Sequence, residues 1–286
     1  MRAVTTTRGI GLVDGDEIAL LDVPHPDLGA ALADGVELGE LATAPVRERV
    51  SRDALRLRAP VPSPSKVWIV GYAYRAHRVE TGHTVSDGRE DGGPQVFLLA
   101  PSAITGPYDP VIIPPLAPTH VDFEGELAVV IGRRATRVRE SQAWQHIAGF
   151  TIADDVSARD VQRGQVPGWP ASPSTAKSFD TFLPLGPSLV TPDEFDNPED
   201  LLLQTWVDGE LRQSARTSDL IYSIPFLVSH LSQVTTLLPG DVICTGTPGG
   251  VGGPENRFLG PGSCVRVEIE GIGAIENRFV SAEEHG

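Results

Sequence analysis

The sequence predicts a β-rich α+β protein made of a small N-terminal α+β domain and one larger domain. Three observations predict it. From Lys66 onward, apolar runs of strand length dominate, most of them bounded by Gly, Pro or Asp. Only one strong amphipathic helix interrupts them, so the chain does not alternate strand and helix as a βαβ protein does. Between the two parts, APVPSPSK (59–66) carries three prolines in eight residues and makes a stiff, extended connection.

The N-terminal domain takes residues 1–58. GIGLVDGDEIALLDV reads as two short strands around a Gly-Asp turn. ALADGVELGELA and VRERVSRDALRLR then suggest short helical segments. In residues 59–286 the strand-length runs are KVWIVGYAY, QVFLLA, ELAVVIG, HIAGFTIA, PLGPSLV, LLLQTWVDG, DVICTGT and SCVRVEIEGIGAIENRFV. The helix places Ile224, Leu227, Val228, Leu231 and Val234 on one stripe. Ser223 can cap it, Pro225 falls in its first turn, and Gly240 follows its end. Two stretches read as loops with functional potential: the polar, glycine-rich residues 77–95, and residues 156–180 with three prolines.

Bulk composition narrows the function classes. With 40% hydrophobic and 21% charged residues, the chain has the make-up of a globular protein. A net charge of −15 argues against nucleic acid or an anionic membrane as partner and suits a divalent cation better. Two cysteines, Cys244 and Cys264, give no disulfide framework and no metal-ligand spacing. No run reaches about 18 apolar residues, and the start lacks an apolar signal core. The expectation is a cytoplasmic protein.

The stretch VDFEGELAVVIG (121–132) places Asp122, Glu124 and Glu126 at every second position, one face of a strand. Such a face is either solvated or holds something positive. The continuation LAVVI suits a buried strand, and GFTIADDVSARD ends an apolar run on Asp154 and Asp155, one of which can supply a third oxygen for a hard cation. His77 and Glu80 lie three apart, so one helical turn would put carboxylate beside imidazole, an arrangement that suits a general base. TGTPGG lacks the Gly-Lys-Ser/Thr ending of a phosphate loop.

Six motifs, in order, resemble those of the fumarylacetoacetate hydrolase family. They are YRAHRVE (74–80), FEGELAVVIG (123–132), DDVSARDVQ (154–162), AKSFDTFLPLGP (176–187), VDGELRQ (207–213) and PGDVICTGTPGGVG (239–252). The resemblance implies a mixed β-sandwich or β-roll of the family's C-terminal type, paired into a homodimer, with Mg²⁺ or Mn²⁺ bound; Ca²⁺ could take the site in a crystal. By position, it implies Glu124, Glu126 and Asp155 as metal ligands and leaves Asp122 and Asp154 as solvated or supporting carboxylates. It implies His77 and Glu80 as the water-activating dyad on a lid, and Lys177 as the cation that stabilises negative charge on the substrate. Tyr74, Arg159, Gln162, Thr181 and Thr247 match substrate-contact positions, while Asp160 suits a structural ion pair.

The implied chemistry is hydrolysis of a C–C bond in a diketo acid or acylpyruvate-like substrate. Oxaloacetate-type decarboxylation, 2-oxo-enoate hydration and keto–enol isomerisation use the same machinery. A metal-binding scaffold without activity is the alternative from another class. Two departures bear on it: Ala73 stands where the family has Asn, and Ala100 where it often has Lys. Both replacements remove polar groups near the expected substrate site and imply altered specificity.

Overall fold

The computed structural model describes residues 1–83 and 93–285. The chain opens with a meander, β1 (Arg2–Thr6), β2 (Gly9–Asp14) and β3 (Glu17–Leu21), and the expected turn sits at Gly15, whose φ of +59° suits glycine. Helices α1 (Leu28–Ala33) and α2 (Leu38–Leu41) follow; Asp27 Oδ1 caps α1 by accepting from Ala30 N at 2.8 Å.

VRERV is not helical, against expectation: β4 (Val46–Ser51) pairs with β3 at the sheet edge. Its charges find partners across strands, as Arg49 does on Asp14 at 2.6 Å, rather than along a helix face. Charged side chains on an edge strand also discourage further strand pairing.

After β5 (Leu57–Arg58) the proline-rich connection is tied down: Thr5 Oγ1 donates to Pro60 O at 2.9 Å, and Val61 is buried. Then come β6 (Val67–Gly71), α3 (Arg75–Glu80), β7 (Gln95–Leu99), β8 (Ile104–Thr105), β9 (Val111–Ile113) and β10 (Val121–Asp122). The centre of the fold is β11 (Gly125–Ile131) and β12 (Ile147–Asp154), followed by β13 (Ser157–Ala158), α4 (Arg159–Gln162) and α5 (Pro173–Lys177). The remainder is β14 (Leu183–Val190), β15 (Leu202–Val207), β16 (Glu210–Arg216), α6 (Ile224–Val234), β17 (Val242–Cys244), α7 (Gly252–Glu255), β18 (Cys264–Ile269), β19 (Gly273–Ser281) and α8 (Ala282–His285).

Two stretches expected as loops are thus partly structured. Residues 156–180 contain β13, α4 and α5, the last capped by Ser172, whose Oγ accepts from Thr175 N at 3.1 Å. Of residues 77–95, the start is the end of α3, and residues 84–92 lie outside the described residues.

The larger sheet runs β4-β3-β2-β1-β14-β12-β11-β17-β6-β7, with β5 on β1 and β8 on β14. The N-terminal meander therefore continues the sheet through the β1–β14 pair, where Ala3 meets Leu189. Ile10, Leu28 and Leu32 share one buried cluster with Val67, Ile69, Ala128 and Cys244. A second sheet, β16-β15-β18-β19-β9, packs its Leu203, Val267 and Phe279 with Leu127, Val129 and Ile152 of the first and with Leu227 and Leu231 of α6. Helix α6 is capped by Ser223 as expected but stops at Val234; Gly240 serves a later turn, at φ +87°. No helix among the described residues is long and apolar enough to cross a membrane.

What positions the site is β11. It lies between β12 and β17, and all seven of its residues are buried, which accounts for its unbroken apolar run. In its register with β12, Gly125 faces Asp154, so Glu124 and Asp155 emerge together at the strand ends. Asp155 N donates to Glu124 O at 2.9 Å and closes that end.

Candidate active site

The carboxylates of Glu124, Glu126 and Asp155 offer ligand atoms within 4.8 Å of one another, and all three residues are buried. Lys177, on the last turn of α5, donates from Nζ to Glu124 Oε2 at 2.7 Å and also to Asp155 Oδ2. Arg159, first residue of α4, bridges Glu124 and Asp122: Nη2 to Glu124 Oε1 is 2.6 Å and Nε to Asp122 Oδ2 is 2.8 Å. Asp122 and Asp154 are not solvated, the other possibility left by the sequence. Both are buried; Asp122 also accepts from Gly252 N and Gly253 N, and Asp154 Oδ1 accepts from Glu124 N at 2.8 Å.

Five acids against two cations leave this buried cluster with surplus negative charge. Burial, reinforced by Asp155 and Glu124, pushes the Glu126 carboxyl well above the ordinary range. Burial likewise raises Asp155 to about 6 and Asp154 to about 7. At Glu124 burial acts the same way, but Lys177 and Arg159 outweigh it and hold that carboxyl at about 2. Among the described residues, Asp155 Oδ1 is buried without a hydrogen-bond partner. An unsatisfied carboxylate oxygen amid excess acid, in a cluster whose three candidate ligand atoms are all carboxylate oxygens, fits a divalent cation such as Mg²⁺ or Mn²⁺.

Helix α3 stands over this cluster. His77 Nδ1 lies 2.6 Å from Glu80 Oε1, and Glu80 Oε2 accepts from Gly250 N at 2.8 Å. The His77 ring stacks on Tyr72, centroids 5.7 Å apart. Arg78 anchors the helix through Nε to Tyr72 O at 2.9 Å. A cavity of about 520 Å³ opens here, and Glu124, Glu126, Lys177, Arg159, His77 and Glu80 all line it.

The glycine-rich stretch 246–253 holds the parts together. Its backbone N–H groups serve three carboxylates: Gly246 N to Glu126 Oε2 at 2.7 Å, Gly250 N to Glu80, and Gly252 and Gly253 N to Asp122. Glycine is required at 250, where φ is +106° and an added Cβ would sit 2.1 Å from Arg212 O. Gln213, from the VDGELRQ motif, donates from Nε2 to Thr247 Oγ1 at 2.8 Å and accepts from Gly125 N at 3.2 Å, bracing the start of β11.

A family model described as fumarylacetoacetate (FAA) hydrolase C-terminal matches residues 66–280. The chain belongs to the fumarylacetoacetate hydrolase family. Members that it is similar to are enzymes. A mitochondrial oxaloacetate tautomerase of Bos taurus is 40% identical over 283 residues, 95% of this chain and 87% of that one. The crystal structure of a fumarylacetoacetate hydrolase from the psychrophilic Exiguobacterium antarcticum is 34% identical, with TM-score 0.84 over 98% of this chain and 99% of that one. A maleylpyruvate hydrolase from Sphingobium sp. SYK-6, solved with manganese(II) and pyruvate, is 30% identical, with TM-score 0.77 over 98% of this chain and 99% of that one.

Of the family positions named from sequence, Gln162 and Thr247 line the cavity with the residues above. Gln162 accepts from Arg159 Nη1 at 3.0 Å, and Thr247 donates to Gly125 O at 3.1 Å. Tyr74 and Thr181 are not at the cavity wall. Tyr74 is fully buried with its hydroxyl unpartnered among the described residues, and Thr181 Oγ1 accepts from Ile112 N at 2.8 Å. Tyr72, which follows β6 with a left-handed φ of +53°, lines the wall instead. Ala73 and Ala100 do not line the cavity either, so the two departures fall behind its wall. Asp160, expected in a structural ion pair, has the His120 ring at 3.8 Å.

Proposed function

We propose that this family member is a divalent-metal-dependent enzyme of 2-oxo acids, and that its reaction is keto–enol tautomerisation of an oxaloacetate-type substrate. The observation that carries the reading is that Glu124 and Glu126 of a buried three-carboxylate cluster line one cavity with a hydrogen-bonded His–Glu pair. Similarity to an oxaloacetate tautomerase over 95% of the chain favours this reaction over the others the site could run.

Glu124, Glu126 and Asp155 would hold Mg²⁺ or Mn²⁺. When bound, the ion supplies Lewis-acid polarisation of the carboxylate and 2-oxo oxygens. Glu80 fixes the His77 ring through Nδ1 and leaves Nε2 to take a proton from substrate C3. The electron pair of that C–H bond becomes the C2–C3 double bond, and the C2 oxygen takes the proton to give the enol. Lys177, already charged against Glu124 and Asp155, stabilises negative charge on that oxygen as it develops. Its own pKa is raised: burial opposes the charge, but the two carboxylates prevail.

A second reading is hydrolysis of a C–C bond in an acylpyruvate-like diketo acid, in which the same dyad takes its proton from water. The structural likeness to a maleylpyruvate hydrolase favours it. One assay separates the readings. The protein with Mn²⁺ or Mg²⁺ is given oxaloacetate, then acylpyruvates, while enol absorbance and pyruvate release are followed. Faster enol–keto exchange without pyruvate is the expected result. Pyruvate from acylpyruvate supports the hydrolase, and pyruvate with CO₂ from oxaloacetate the decarboxylase. No turnover on either would leave the scaffold. The resemblance also implies a homodimer, which sedimentation of the metal-loaded protein would check.

A further inference from the structure

Three permanently charged cations line the cavity among the described residues: Arg159, Lys177 and Arg163. Two are committed. Arg159 is held by Asp122, Glu124 and Gln162, and Lys177 by Glu124 and Asp155. Arg163 differs. It follows α4 by one residue, its side chain is exposed, and it makes no hydrogen bond or ion pair with an acid among the described residues.

Its position is nonetheless defined. A Cβ built on Gly253 would lie 3.4 Å from Arg163 Nη2 and 3.6 Å from Arg159 Nε. The two guanidinium groups thus flank one glycine, and Arg159 reaches on from there to Glu124. An exposed arginine is ordinarily just solvated. This one faces a cavity in a chain of net charge −15, beside the cation that braces the carboxylate cluster. The acid at the cavity floor repels any anion that the metal does not neutralise, so a second carboxylate needs a separate counter-charge.

We propose that Arg163 receives the substrate carboxylate remote from the reacting 2-oxo group, and so selects dicarboxylates over monocarboxylates of the same length. The inference rests on the 2-oxo acid reading above, with the near end of the substrate at Glu124, Glu126 and Asp155. A guanidinium fork matches a carboxylate with two parallel hydrogen bonds, which an uncharged amide cannot replace. Because the group is exposed, the preference is modest and weakens with salt.

Malate and 2-hydroxybutyrate test it without requiring turnover. Each chelates through a hydroxyl and a carboxylate, and only malate carries the remote carboxylate. Calorimetric titration of the Mn²⁺-loaded protein is expected to give malate an advantage of roughly fivefold, the upper scale of an exposed charge pair. Arg163→Gln is expected to erase the advantage with Mn²⁺ affinity unchanged, and Arg163→Lys to keep part of it. With oxaloacetate, Arg163→Gln raises KM several-fold and leaves kcat within about twofold, as loss of uniform binding requires. No advantage in the wild type, or an advantage that survives Arg163→Gln, overturns the inference. If oxaloacetate is not tautomerised yet malate is preferred through Arg163, the reaction assignment falls and Arg163 keeps its role.

Discussion

The carboxylate cluster and helix α3 face the same cavity but are built in opposite ways. Glu124, Glu126 and Asp155 stand at the ends of paired strands, the first fully buried and the second nearly so, and each is held by cations or backbone N–H groups from other elements. Helix α3 has six residues, no side-chain N-cap, and a carboxylate latch to one backbone N–H, Gly250. A helix that short has little stability of its own and depends on such tertiary anchors. The contrast teaches a division of labour. The candidate cation ligands stand on and beside the paired central strands, and the His77–Glu80 pair stands on a short helix tied down by side-chain bonds from Arg75, Arg78 and Glu80.

The largest expected break of that comparison is Glu126→Ala. Loss of one anionic ligand should weaken Mn²⁺ binding more than about a hundredfold, beyond the effect of losing a supporting residue. Turnover should fall at least about a thousandfold, since Lewis-acid polarisation amounts to several kcal/mol. Calorimetry with Mn²⁺ checks it; unchanged affinity would remove the cluster from the metal assignment. On the other side of the comparison, His77→Ala should lower turnover about a hundredfold while Mn²⁺ binding is kept. Joint loss of both would mean that the helix and the cluster are one unit.

Gly250→Ala probes the latch between them. A methyl group 2.1 Å from Arg212 O must displace the loop, and the Glu80 contact with it. Turnover is expected to drop about tenfold, the scale of losing a supporting hydrogen bond, with the protein still binding Mn²⁺. A steady-state assay beside a Mn²⁺ titration decides this.

The cluster also predicts a pH signature. With Asp155 raised to about 6 and Asp154 to about 7, the folded metal-free chain binds more protons than the unfolded one between about pH 4 and pH 7. Stability should therefore fall as pH rises through that window. Glu124, held at about 2, acts in a lower one: its contribution is lost only as pH falls from about 4. Mn²⁺ should flatten the upper slope by favouring the ionised carboxylates. Urea midpoints at pH 5 and pH 7.5, in chelator and in Mn²⁺, measure it, and a slope that rises with pH in chelator would contradict the charge balance.

The smallest effect is expected at Tyr74, whose buried hydroxyl has no partner among the described residues. Tyr74→Phe should leave activity unchanged and shift stability by no more than about 1 kcal/mol, toward greater stability. A tenfold loss of kcat/KM would return Tyr74 to the substrate contacts.

By itself the sequence determined the β-rich architecture, the three metal-ligand candidates, the His77–Glu80 pair and Lys177. These were legible because period-two alternation, three-residue spacing and ordered motifs are local properties of a chain. The strand of VRERV was not, because its charges are satisfied by neighbours across the sheet edge and not along the chain. Only the tertiary structure decided that Asp122 and Asp154 are buried, that the 246–253 glycines tie cluster and helix together, and that Tyr72 and not Tyr74 faces the cavity. The physical reason is the same in each case. A buried acid is set by what surrounds it, a backbone donor by where the loop lies, and a side chain's direction by a backbone conformation that no residue type announces.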